Sequence, residues 1–529
     1  MSGSIEVYEY NNEKLLELFT RNQNASKEQI SKKNLYEYFD KYLESNDIAA
    51  KTIVAENDYI DRDFLEDFSA YYVRCFTDYK RKCIRLHFFS NTFHQDKFDS
   101  FLEKYDPVFE EVLYDSYLGF IVLKPLPQTI IGRTCLKTYK DTTKSGDKRI
   151  FPIIRDYEVN LCGIMLSVES LAFQEQDSVV SACATSALWS AFQVTAKIFQ
   201  HKSLSPVEIT KSAAEHFALE ERSFPNKGLT ISQMMHAVKE LDMEPLRVDV
   251  NHNEYVLKSS IYAYLTYGIP IILVIDLYDT NAEEESTYEG RHAVVITGYR
   301  VKNNIGQSYP NDTLGLVSSN ISRIFVHDDQ IGPFAKMKMD GEKIRIKSGD
   351  ETIETIALKT EWKYRAVPII ILVPLYHKIR IPFENVLDII VIFNSIIDDS
   401  SENLGSELLP GGKIEWDIFL TSVNDLKKEV LSKSGNEGNF KEILKKNMPR
   451  FIWRAKAMDK GKLFMDLLFD ATDIEQGDFF SCGVVYDRDL FSAIQIILKS
   501  DEAVSAPLKE YPAGKSLVDW INNWSGEGN

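Results

Sequence analysis

FQEQDSVVSACATSALWSAFQVTAKIF (173–199) decides how the rest of the chain is read, because it sets a cysteine at the opening turn of a predicted helix. A thiol is a weak nucleophile until it ionises, and a helix N-terminus favours the thiolate through its unpaired amides and macrodipole. The spacing of Leu188, Phe192, Thr195 and Phe199 predicts one buried helical stripe, which would anchor the helix and leave Cys183 facing a cleft.

A thiolate also needs an imidazole at its side, both to hold the ion pair and to protonate a leaving amine. Downstream, His292 opens the predicted strand HAVVITGY (292–299) after the polar, acidic loop TNAEEESTYEGR (280–291), so its ring can emerge at a sheet end. A third group must accept the second imidazole N–H and fix the tautomer. Asp328, closing the apolar strand RIFVH (323–327), is placed for that role, with Asp329 its competitor. A tetrahedral intermediate carries an oxyanion, for which the cysteine's own N–H and a side-chain donor just upstream are needed. Gln176 provides that donor, with Gln174 as the alternative.

The surrounding elements read helices first, sheet second. Ser205-Pro206 with Glu208, and Thr230 with Gln233, are capping-box starts for helices from about 206 and 231, and strands follow at 269–277, 293–300 and 323–328. Residues 301–320, rich in Asn, Ser and Gly, read as a loop inserted between two strands. Upstream, residues 12 to about 47 are helical in pattern, with Ser26 and Gln29 as a capping box, and strands are expected at AYYVRCF (70–76), CIRLHFF (83–89) and LGFIVLKPL (118–126), with a helix near 95–104. Beyond about 360 come a strand at 366–373, a helix through Val386, Ile390 and Ile397, and strands near 450–456 and 463–469. The expected organisation is three units: α+β over 1–158, the thiol domain over 159–350, and α/β over 351–529.

Composition narrows the partners. The 529 residues are 44% hydrophobic and 26% charged, as in an ordinary globular protein. Acidic residues outnumber basic ones 79 to 61, and the net charge of −18 repels a phosphate backbone, so nucleic acid is not expected as a partner. Six cysteines without Cys-x-x-Cys spacing suit a reducing compartment. The start MSGSIEVYEYNNEK does not read as a signal peptide, and no apolar run reaches the roughly 18 residues of a membrane span. The expectation is a cytoplasmic protein with no membrane partner. No metal or cofactor is expected: DATDIEQGD (470–478) lacks the spacing of a calcium loop and reads as a polar turn, and LPGGKIEW (409–416) reads as a turn entering a strand.

Taken in order, FQEQDSVVSACATSALWSAF, GLTISQMMHAVKEL, YGIPIILVIDL, GRHAVVITGY and RIFVHDDQIGPF resemble the papain-like cysteine peptidase superfamily, and particularly its bacteriocin-leader branch, which cuts after double-glycine leaders. The resemblance covers about residues 170–335. It implies a papain-like α+β fold, with the cysteine's helix packed on an antiparallel sheet, flanked by two α/β units. It also implies Cys183 as nucleophile, His292 as base and acid, Asp328 as orienter and Gln176 as oxyanion donor. Ala184 stands where that branch has Gly, and Asp329 where it has Pro. The implied activity is hydrolysis of a protein or peptide through a thioacyl-enzyme, with a regulatory protein partner as a further expectation for the flanks. Acyl transfer or deamidation on the same fold, and a non-catalytic binding module, are the alternatives.

Overall fold

The computed structural model describes residues 5–21, 26–177, 179, 182–215, 228–280, 286–302, 314–348, 351–403, 413–433, 440–475, 477–500 and 503–525. Helices and several antiparallel sheets share the chain, a mixed α+β architecture. Two compact units interleave along the sequence. The first takes residues 1–252, 270–300 and 322–374, and the second takes 253–269, 301–321 and 375–529. The boundary expected near 158 therefore falls inside the first unit. The one expected near 350 falls in a hairpin, Lys343–Ser348 with Glu351–Ile356.

The first unit begins with the helices Asn12–Thr20, Lys27–Ser31 and Asn34–Glu44, the second of them opened by the reciprocal Ser26–Gln29 capping box. They accompany an antiparallel sheet ordered Ile5–Glu9, Thr52–Tyr59, Cys83–Phe89, Tyr117–Leu123, Ile131–Leu136. The strand expected at 70–76 does not form. Asp61 caps a helix over Arg62–Ala70, accepting from the Phe64 amide at 3.0 Å, and a 3-10 turn over Tyr72–Arg74 follows. Tyr72 is buried there and donates to Asp177 Oδ2 at 2.5 Å, so its role is a tether to the segment before Cys183 rather than half of a β alternation.

The sheet that matters for the site is a ring. Strands Ile271–Asp279, Thr287–Val301, Ile321–Asp328, Gly332–Lys338, Leu358–Lys359 and Arg365–Tyr376 pair in that order, and the last pairs back on the first. Ile271–Ile275 and Ala293–Ile296 are buried on both faces, which is why they read as continuous apolar runs rather than alternations. The loop expected at 301–320 lies in part outside the described residues. Its later part holds a short strand, Gly315–Leu316, and a 3-10 turn, Val317–Asn320.

The second unit carries a sheet ordered Gly315–Leu316, Glu415–Ser422, Phe451–Asp459, Lys462–Asp470, Phe480–Val485, together with the helix Phe383–Asn403 that the 3.6-residue period predicted. Within DATDIEQGD, of which Gln476 lies outside the described residues, Asp470 Oδ1 accepts from the amide and hydroxyl of Thr472. Among the described residues, no helix is long and apolar enough to cross a membrane.

Candidate active site

Three elements of the first unit converge on one buried cluster. Cys183 is the first residue of the helix Cys183–Phe199, behind Ala182, whose side chain cannot cap, so no side-chain hydrogen bond covers that first turn. The apolar stripe expected on this helix is not what forms: every residue from Ala184 to Thr195 is buried. A helix covered on all sides is a core helix, and Trp189 behaves accordingly, its indole N–H donating to Asp63 Oδ2 at 3.1 Å. The helix packs on the strand Ile271–Asp279, the neighbour of the strand that carries His292. Cys183 itself is half-buried.

His292 sits opposite Ile275 in the ring and is buried. Its Nε2 lies 3.1 Å from Asp328 Oδ1, a hydrogen bond, and 3.4 Å from Asp329 Oδ1. Burial alone would lower this imidazole, but Asp328, Asp329, the bond to Asp328 and the Cys183 thiol together raise it well above its ordinary value.

Asp328 ends its strand in a tight turn. Its Oδ1 also accepts from the Gln330 amide at 3.0 Å, and its carbonyl accepts from the Ile331 amide at 3.0 Å. The turn closes at Gly332, where φ is +153° and an added Cβ would lie 2.2 Å from the Tyr38 ring. Tyr38, on the helix Asn34–Glu44, donates to the Pro333 carbonyl at 2.5 Å. The geometry thus gives Asp328 the direct bond to the imidazole and sets Asp329 beside it. The ligand-type atoms of His292, Asp328 and Asp329 lie within 4.8 Å of one another.

His327 points away from Asp328, its neighbour on the strand, as alternation requires. Its Nδ1 accepts from the Phe334 amide at 3.1 Å, which leaves Nε2–H to donate to the Leu171 carbonyl at 3.0 Å, and burial lowers its imidazole to about 3. It is a neutral core histidine.

The glutamines lie on a strap laid along the strand Ile131–Leu136. Phe173 exchanges backbone hydrogen bonds with Thr134, and the Glu175 amide donates to the Ile131 carbonyl at 3.1 Å. The Glu175 carboxylate accepts from the Ile131 amide at 3.0 Å and pairs with Lys33 at 3.1 Å. Held between these two residues, Gln174 is buried and its Nε2 has no partner, whereas Gln176 is half-buried. The acidic loop residues 283–285 lie outside the described residues. Composition and period gave no signal for Asp63, Tyr72 or Lys33, because their importance arises only from what they meet across the fold. No family model matches this chain, and no curated protein matches it.

Proposed function

We propose that the first unit is a papain-like cysteine peptidase acting on protein or peptide substrates, with Cys183 as nucleophile, His292 as base and acid, Asp328 as orienter and Gln176 as oxyanion donor. The observation that carries this reading is the buried His292–Asp328 hydrogen bond with the Cys183 thiol acting on the same imidazole, a set drawn from a helix start and two neighbouring strands of one ring. A helix-borne thiol packed on an antiparallel sheet is the arrangement that the sequence resemblance leads one to expect. The thiol within reach of the imidazole also favours catalysis over a binding module that has kept only the scaffold.

The chemistry follows from these positions. His292 takes the Cys183 proton, giving thiolate and imidazolium, and Asp328 holds the ring in the required tautomer. Sulfur attacks the carbonyl carbon, and the oxyanion is met by the Cys183 amide and Gln176. The C–N bond breaks as the imidazolium passes its proton to the leaving amine. Water then attacks the thioester while His292 takes its proton, the C–S bond breaks, and the proton returns to sulfur.

The test is labelling with iodoacetamide near neutral pH, followed by proteome-wide N-terminus mapping against Cys183→Ala. The expected result is Cys183 labelled fastest of the six cysteines and new N-termini absent from the variant. Equal labelling of all accessible thiols overturns the reading. A mass shift of about one dalton, or an added amine without backbone cleavage, replaces hydrolysis by deamidation or acyl transfer on the same thioester.

A further inference from the structure

Behind the triad lies a small cavity of about 10 Å³, lined by Gln174, Ser186, Ser190, Ala293, His327 and Asp329 among others. That is the room one water molecule needs. Two buried polar atoms at this cavity have no partner: Gln174 Nε2, a donor, and Asp329 Oδ2, an acceptor when ionised and a donor when protonated. Gln174 is 6% exposed and Asp329 4%. Buried polar groups are rarely left unmatched, and a site with two to four polar partners holds a water. The other oxygen of the same Asp329 carboxyl is 3.4 Å from His292 Nε2.

We propose that Asp329 is a second positioning residue for His292, held from behind by Gln174 through a water in this cavity, so that the catalytic base is gripped by two carboxyls rather than one. This deepens the peptidase reading and rests on it. It also separates the two glutamines, since a side chain committed to the far side of the Asp329 carboxyl leaves Gln176 for the oxyanion.

Charge supports the arrangement. Facing Asp329 are His292 from the neighbouring strand, Asp328 and neutral His327 on its own strand, and Glu175 from the strap, itself paired with Lys33. Ser186 and Ser190 reach the cavity from the cysteine's helix. Burial pushes the Asp329 carboxyl up to about 7, the imidazole opposing and Asp328 adding to the rise. Below that pH its proton stays on, and Asp329 is a neutral acid beside the imidazole. Above it the proton leaves, the second negative charge acts on His292, and the imidazolium persists to higher pH.

The experiment follows His292 in the full chain by NMR of protein labelled with 13Cε1-histidine, its signal identified by its loss in His292→Gln. The expected result is a His292 titration midpoint lowered by about one pH unit in Asp329→Asn, and by less, in the same direction, in Gln174→Leu. A structural role alone would change the melting temperature and leave the midpoint in place. A midpoint unmoved or raised in either variant overturns the proposal. Rapid Cys183 labelling with an unmoved midpoint sinks this inference and spares the peptidase reading, whereas a moved midpoint with an unreactive Cys183 does the reverse.

Discussion

Both units bury charge inside a sheet, and they do it differently. In the second unit Arg454 is 1% exposed and Asp466 0%, joined by two guanidinium hydrogen bonds at 3.0 and 2.5 Å. Arg454 also donates to Glu429, which Lys456 meets from the other side. Arginine does not lose its proton, and its planar fork meets carboxylates from fixed directions, so the cation of this cluster is permanent. In the first unit the cation is an imidazole, which can lose its proton, with Asp328 and Asp329 beside it. The proton transfer proposed above needs a group that exchanges its proton near neutrality, which the imidazole can supply and the guanidinium cannot.

The largest expected effect breaks the comparison at its reactive end. His292→Gln should lower hydrolysis by about 10²–10⁴-fold while the melting temperature changes little, as read by turnover and calorimetry on the same preparation. A loss of folding with no selective loss of turnover would make the two clusters alike. Next, Arg454→Met leaves Asp466 as an uncompensated buried charge. It should cost about 3–5 kcal/mol in the unfolding of the second unit, followed by denaturant titration, with Cys183 alkylation unchanged.

Gly332→Ala probes the turn after Asp328. Its Cβ would meet Tyr38 at 2.2 Å with φ at +153°, and about 1–3 kcal/mol of destabilisation is expected. The smallest effect is a slope. Burial pushes the folded Asp329 carboxyl up from its ordinary 3.8 to about 7, so between those pH values the native state keeps a proton that the unfolded chain has lost, and stability falls as pH rises. His292, raised above 6.5, adds stability that is present below that pH and is lost as pH climbs through its folded value. Glu429 runs the other way: burial would raise its carboxyl, but Arg454, Lys433 and Lys456 hold it low, so it stabilises above 4.5 and ceases to do so as the solution is acidified. Denaturation midpoints from pH 4 to 7 should therefore decline in the wild type and flatten in Asp329→Asn. An unchanged slope would mean that Asp329 is ionised throughout.

The sequence by itself determined what local physics can write. Capping boxes at Ser26, Ser205 and Thr230 fixed helix starts, apolar runs fixed the strands that bear His292 and Asp328, and the position of Cys183 before an apolar helix fixed where a thiol meets a helix N-terminus. Each is a matter of a few neighbouring residues. Where a residue's environment comes from distant chain, the pattern misled or said nothing: 70–76 alternates like a strand yet makes a turn tethered to Asp177, and the cysteine's helix is buried on all sides although one stripe was expected. Only the tertiary structure decided that Asp328 rather than its neighbour bonds His292 directly, that Asp329 and Gln174 meet at one small cavity, and that Tyr38 closes on Gly332. The physical reason is that hydrogen bonding and burial act over a few ångströms of space, and residues 38, 174, 292 and 329 become neighbours only when strands far apart in the chain close into a ring.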